Sequence, residues 1–76
     1  MSVQIYRVYR REKHIYGDGG VDTEEPRSIF LGVTRAPTPK KAVTNLSYRA
    51  RIPMREEIPL AGDGVAIYWL EAEEVK

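Results

Sequence analysis

The chain has 76 residues, with 12 Lys and Arg against 11 Asp and Glu, so its formal net charge is +1. A chain of this length buries only about 60% of the surface that it exposes when unfolded, which excludes two independent domains and predicts a small core. The absence of cysteine excludes disulfides and cysteine zinc sites, and no stretch approaches the ~18 consecutive apolar residues of a membrane span. We expect a single cytoplasmic domain over residues 1–76 that has no contact with a membrane.

Charge is distributed unevenly along the chain. Residues 1–55 carry eleven Lys and Arg against five Asp and Glu, a net charge of +6, whereas residues 56–76 carry one Lys against six Asp and Glu, a net charge of −5. Such a division is typical of a basic binding surface with an acidic border. It is equally typical of strands of opposite charge that neutralise each other in a sheet. The sequence leaves both interpretations open.

The segment Val3–Arg11 has the composition of a β-strand, because it is rich in β-branched and aromatic residues and contains neither Gly nor Pro. Apolar side chains fall on both of its faces, which predicts a central strand. The strand can continue as far as Tyr16, until the glycines that follow force a turn. Residues 17–27 are polar and acidic and contain Pro26, which favours a flexible loop.

A second strand is predicted over Ser28–Arg35, where apolar and other residues alternate. We expect the face formed by Ile29, Leu31 and Val33 to meet the helix that follows. Gly32, in the interior of this strand, indicates a bulge or the close approach of a neighbour.

The clearest local pattern in the chain is a helix over Thr38–Arg51. Thr38 is a good N-cap, and Pro39 at the first helical position loses no hydrogen bond. The predicted apolar stripe consists of residues three or four positions apart: Ala42, Val43, Leu46 and Ala50.

Residues 53–64 contain two prolines and two glycines and are predicted to be a connecting loop, followed by a third strand over residues 65–75. The element order is therefore β-β-α-β. Consecutive strands pair antiparallel, and the helix returns the chain so that the third strand lies beside the first. We predict an α+β domain with a three-stranded antiparallel sheet of order 2-1-3 and the helix on one face.

Signatures of catalysis and metal binding are absent from the sequence. His14 is the only histidine, and no serine lies in a nucleophile motif. The acidic residues of the first loop offer oxygen ligands to Mg²⁺ or Ca²⁺ but lack EF-hand spacing, so a solvated loop is the simpler interpretation. These residues are Asp18, Asp22, Glu24 and Glu25. We expect a non-enzymatic protein without a cofactor or a bound metal.

The pattern with most functional content is a mixture of basic and aromatic residues, which is typical of surfaces that bind RNA or DNA. We expect the site where the flank of the helix and the end of the first strand come together, although a solvated helix face explains the same residues. The candidates on and after the helix are Lys40, Lys41, Tyr48, Arg49, Arg51 and Arg55. Those on the first strand are Arg7, Arg10 and Arg11.

An alternative is a protein-interaction or self-associating module that uses the uncovered face of the sheet or an edge strand. Depending on register, that face presents either Tyr6 and Val8 or Ile5 and Tyr9. The candidate residues for this surface are Tyr6, Val8, Phe30 and Tyr68.

Overall fold

The computed structural model describes residues 2–16 and 27–76, in which four strands and one α-helix form an α+β fold. The elements in chain order are strand β1 (Gln4–Ile15), strand β2 (Arg27–Ala36), helix α1 (Pro39–Ala50), strand β3 (Arg55–Pro59), a short 3-10 helix (Ala61–Asp63) and strand β4 (Val65–Glu74). The predicted acidic loop lies almost wholly outside the described residues, and its last residue, Arg27, begins β2.

The sheet has the order β2-β1-β4-β3, and all neighbouring strands are antiparallel. The predicted α+β class is confirmed, and so is the central place of the first strand between the second and the last. The predicted number of strands is wrong, because the sheet has four strands rather than three.

The additional strand, β3, lies in the segment that the sequence predicts to be a loop. Its five residues show no apolar alternation, and Pro59 at its end lacks a backbone N–H. An edge strand tolerates both features because one of its sides faces solvent rather than another strand. Pairing with β4 therefore stabilises a segment that has little intrinsic preference for strand conformation.

Helix α1 begins and ends through local hydrogen bonds. The Thr38 hydroxyl accepts a hydrogen bond of 3.1 Å from the backbone N–H of Lys41. At the other end Arg51 adopts the left-handed conformation, with φ 57° and ψ 44°, and the Ile52 N–H donates to the Ser47 carbonyl at 3.2 Å. The predicted start and stop of the helix are confirmed.

The N-cap provides a direct test of this helix. Thr38→Ala should lower the free energy of unfolding by about 1 kcal/mol, because a first-turn N–H loses its partner. Thr44→Ala is the matched control, since the Thr44 hydroxyl caps no free N–H group: it donates to the Lys40 carbonyl of its own helix at 3.0 Å and lies 3.8 Å from the Met54 sulfur. Urea unfolding followed by circular dichroism should show no more than about 0.5 kcal/mol for the control. Equal losses in both variants would contradict the capping role.

The core lies between α1 and one face of the sheet, which we call the helix-side face. It consists of six buried hydrophobic residues from α1 and three strands: Tyr6, Val8, Ala36, Ala42, Leu46 and Leu70. Val43 packs against this core, whereas Ala50 is exposed, so the predicted apolar stripe is shorter than expected. A twelve-residue helix spans about 18 Å and a twelve-residue strand about 40 Å. Helix α1 therefore covers only one half of the helix-side face.

The predicted orientation of β2 is right for Leu31, which packs against the core, and wrong for Val33, which lies on the opposite face; Ile29 lies on the helix-side face beyond the part that the helix covers. Val33 and Ile29 are 47% and 56% exposed, whereas Thr34 and Ala36 are buried against the helix. The register of β1 and β2 shifts between Val8 and Tyr9, opposite Gly32. This bulge changes the phase of the alternation, so a simple two-residue period along β2 does not describe either face.

Gly32 lies at a bulge and is also closely approached by a neighbour, the two alternatives that the sequence predicts for it. Its φ of +155° is rarely adopted by other residues, and a Cβ at this position would lie 3.3 Å from the Leu46 Cδ1. The glycine thus allows the bulge and also gives the largest side chain of the helix core room to approach the sheet.

Candidate functional site

The nine basic and aromatic candidates for nucleic-acid binding lie on several separate surfaces. Lys40, Lys41, Tyr48 and Arg51 are exposed on or just after α1. Side chains alternate along a strand, and Tyr6 and Val8 of β1 face the helix, so Arg7 and Arg11 project from the opposite face. The sheet therefore separates Arg7 and Arg11 from the helix flank, and Arg10 is the one strand-one candidate on the same side of the sheet as the helix.

Arg49 lies along the outer edge of β2. Its guanidinium donates to the Val33 carbonyl at 3.0 Å and to the Thr34 hydroxyl at 3.4 Å. Thr34 is the buried polar residue of the described part of the chain, with 7% of its surface exposed. Arg49 thus satisfies a buried hydroxyl and an edge carbonyl.

Arg10 lies on the uncovered half of the helix-side face. Its guanidinium lies over the Tyr68 ring, 4.1 Å from the ring centroid, and 3.6 Å from the Glu56 carboxylate. His14 and Glu12 form a second pair on the same half, with 2.5 Å between the Nε2 and Oε2 atoms. Tyr68 is therefore a partner of Arg10 on the helix-side face. The sequence-based prediction, which placed Tyr68 on the face opposite the helix, is wrong.

Two further candidates for the interaction surface are corrected by the structure. Tyr6 and Val8 are 4% and 0% exposed, so they belong to the core and are not available to a partner. Both faces of β1 carry apolar residues, and the sequence alone does not tell which of them faces α1. The alternative pair, Ile5 and Tyr9, lies on the uncovered face together with Phe30.

The face opposite α1, which we call the open face, carries aromatic rings on three adjacent strands. Phe30 of β2 lies opposite Tyr9 of β1, with ring centroids 5.7 Å apart and planes inclined by 58°. Trp69 of β4 lies between two arginines, opposite Arg11 of β1 and opposite Arg55 of β3. Arg11 also lies over the Tyr9 ring, 6.0 Å from its centroid. The open face therefore carries a pair of neighbouring rings, Phe30 and Tyr9, and a third ring, Trp69, flanked by two guanidinium groups.

The charges of the open face are partly neutralised by neighbours. Arg11 forms an ion pair with Glu71, and Arg55 forms one with Glu57 at 2.7 Å. Arg7 lies opposite Glu73. By strand register the face carries five basic residues against three acidic ones: Arg7, Arg11, Lys13, Arg35 and Arg55 against Glu57, Glu71 and Glu73. Its net charge is therefore slightly positive.

Three basic or aromatic residues of the open face were missing from the sequence-based candidates: Lys13, Arg35 and Trp69. Trp69 alternates with Ile67 and Val65, so its position on a common strand face was visible in the sequence. Its proximity to Arg11 and Arg55 depends on the pairing of three distant strands, for which the sequence contains no short-range signal.

Among the residues that the structure describes, no group of three or more His, Cys, Asp or Glu is placed to hold a metal ion. The acidic residues Asp18, Asp22, Glu24 and Glu25 lie outside the described residues, so their interpretation stays a prediction. Over residues 2–16 and 27–76, no helix has the length and hydrophobicity required to cross a membrane.

The chain matches no protein-family model, no curated protein and no solved structure.

Proposed function

We propose that this protein binds single-stranded nucleic acid, RNA or DNA, through the open face of its sheet. The observation that carries the proposal is the group of rings on three neighbouring strands, Phe30, Tyr9 and Trp69, with Arg11 between Tyr9 and Trp69. The proposal keeps the class of partner that the sequence indicates and moves the site from the helix to the opposite side of the sheet.

The rings supply the main part of the expected affinity. Phe30 is 54% exposed, although it is a large apolar side chain, so one of its sides is free to contact a ligand. Unpaired bases stack on exposed aromatic rings of a sheet, and each stacked base contributes about 1–3 kcal/mol. The bases of a duplex are paired and stacked inside the helix, so a flat sheet surface favours single strands.

The electrostatic contribution to the binding free energy is expected to be small, because three of the five basic residues of the open face lie next to a carboxylate. Lys13 and Arg35 have no ion-pair partner among the described residues. With about two to three phosphate contacts, the logarithm of the binding constant should fall with the logarithm of the salt concentration with a slope of roughly −2 for a single strand.

Helix α1 is the competing site within the protein. It contains no acidic residue, and Lys41 and Tyr48, seven residues apart, lie on the same side of the helix. Tyr48 is its one aromatic ring, with 83% of its surface exposed, so the helix offers charge but no series of stacking positions. We therefore assign it a secondary role in binding.

Trp69 provides the assay, because it is the single tryptophan of the chain and lies on the open face. Titration with a short single-stranded oligonucleotide should quench its fluorescence, and a duplex of equal length should bind more weakly. A variant with both Lys40→Gln and Lys41→Gln should retain the affinity within about threefold at ~200 mM salt, where long-range attraction is screened.

Two outcomes would overturn the proposal. If the single strand binds no more tightly than millimolar at low salt, the open face does not bind nucleic acid, and the alternative of a protein partner gains support. If the double lysine variant loses binding while Trp69 fluorescence does not respond, the helix is the site.

A further inference from the structure

The sheet has two edges, and they differ in how well they are protected against pairing with another strand. The edge formed by β3 is five residues long, begins with Arg55, Glu56 and Glu57, and ends with Pro59. Short length, charge and proline are the usual features that prevent an edge from recruiting a further strand. The edge formed by β2 has ten residues and none of these features beyond its terminal charges.

The direction of the backbone polar groups along β2 follows from the hydrogen bonds of its neighbours. The Val75 N–H donates to the Ile5 carbonyl at 2.8 Å, so odd-numbered residues of β1 turn their polar groups toward β4. The even-numbered residues of β1 consequently direct their N–H and C=O groups toward β2. The β2 residues paired with them direct their own N–H and C=O groups toward β1. The residues of β2 paired with odd positions of β1 direct their N–H and C=O groups away from the sheet: Ser28, Phe30, Val33 and Arg35.

The outer edge of β2 is covered by α1 over its second half only. Arg49 donates to the Val33 carbonyl at 3.0 Å, and Asn45 donates to the Arg35 carbonyl at 3.4 Å. No described residue forms a hydrogen bond with the outward backbone groups of Ser28 or Phe30. The first half of β2 is therefore the part of the described sheet that is ready to accept another strand.

We propose that a second copy of this chain pairs with β2, antiparallel and about a two-fold axis that passes through Ile29. In this register Ser28 of one copy and Phe30 of the other exchange N–H···O=C hydrogen bonds, four in the whole pair. The two copies of Ile29 lie directly opposite each other at the non-hydrogen-bonded position. The dimer has one continuous sheet of eight strands.

A second copy is the occupant that the residues of this segment fit. Ile29 is 56% exposed and gains an identical apolar neighbour in the two-fold arrangement. Arg27 falls opposite Leu31 of the other copy, so no like charges face each other. The two open faces become continuous across the new strand pair, which extends the proposed binding surface. The pairing itself does not depend on that function.

The expected dimer is weak, because a pair of short strands buries less than the ~1,200–2,000 Å² of standard stable interfaces. Sedimentation equilibrium of the full chain, from about 10 μM to about 1 mM, should show a reversible monomer–dimer equilibrium. Ile29→Asp should raise the dissociation constant at least about tenfold, because it places two carboxylates opposite each other. Ile58→Asp is the matched control, since Ile58 is 39% exposed on the other edge strand, and it should leave the dissociation constant unchanged.

A second variant acts on the backbone at Ser28, whose hydroxyl also accepts a hydrogen bond of 3.0 Å from the Arg11 guanidinium. Ser28→Pro removes an outward N–H that β1 does not use, so it should preserve the circular dichroism spectrum of the monomer and weaken the dimer. A strict monomer at about 1 mM would overturn the proposal, as would dimerisation that persists in both Ile29→Asp and Ser28→Pro. Loss of the dimer only after Phe30→Ala would place the contact on the open face and would overturn it as well.

Discussion

Replacing Leu46 with alanine should lower the free energy of unfolding by about 2–5 kcal/mol, the largest effect that we expect from a single substitution. Leu46 is 1% exposed and is one of the two largest fully buried side chains described, together with Val8. It lies above Gly32, whose missing side chain leaves the space that the Leu46 methyl group fills. Removing the leucine therefore leaves a cavity that the glycine is too small to close.

The size of this effect is large relative to the total stability of the fold. Domains are typically stable by about 5–15 kcal/mol, and a chain of 76 residues belongs at the lower end of that range. Urea unfolding of Leu46→Ala should show a transition shifted to much lower urea, or a protein that is partly unfolded without denaturant. Tyr48→Ala, on the same helix and 83% exposed, should change the free energy of unfolding by no more than about 0.5 kcal/mol. A loss below about 1 kcal/mol for Leu46→Ala would show that α1 is not packed on the sheet as described.

The helix was predictable because its signals are local. Thr38 and Pro39 fix its start within a few residues of sequence, and Leu46 marks its buried side. The exposed Ala50 shows the limit of such a signal. A helical period predicts which residues lie on the same side of the helix. How many of those residues are buried depends on how much of the helix the sheet covers.

Three of the four strands were predictable as segments, and so was the central place of β1, but the register of β2 and the existence of β3 were not. The bulge opposite Gly32 reverses the phase of β2, so Val33, which alternation alone directs to the core, lies on the open face. Strand β3 escaped prediction for a related reason. Its backbone hydrogen bonds come from β4, whose paired residues run from Pro59 with Val65 to Arg55 with Trp69, and its charged side chains give no apolar pattern.

The residue types of the candidate site were predictable from the sequence, but their arrangement in space was not. Basic and aromatic residues could be identified one by one, but their grouping depends on which face each strand turns toward α1. Arg10 and Arg11 are neighbours in sequence, yet Arg10 lies over Tyr68 on the helix-side face and Arg11 pairs with Glu71 on the open face. A cluster in sequence within a strand is thus divided between two surfaces in space.

The second large effect concerns binding. Phe30→Ala should weaken the binding of a single-stranded oligonucleotide by about 5- to 150-fold, the equivalent of the ~1–3 kcal/mol that one stacked base contributes. Phe30 is 54% exposed, so the substitution removes little from the core and its effect on folding should be small. Quenching of Trp69 fluorescence measures the affinity without a label on either partner.

Tyr48→Ala is the matched control for Phe30→Ala, because it also removes one exposed ring but does so on α1, across the sheet from the open face. Its affinity should stay within about twofold of the unsubstituted protein, since stacking energy is lost only where a base stacks. Ile29→Asp should likewise leave the intrinsic affinity of each subunit unchanged, because Ile29 lies on the helix-side face while its neighbour Phe30 lies on the open face. If Tyr48→Ala weakened binding and Phe30→Ala did not, the bases would be stacking on the helix, and the open face would then be free for a protein partner.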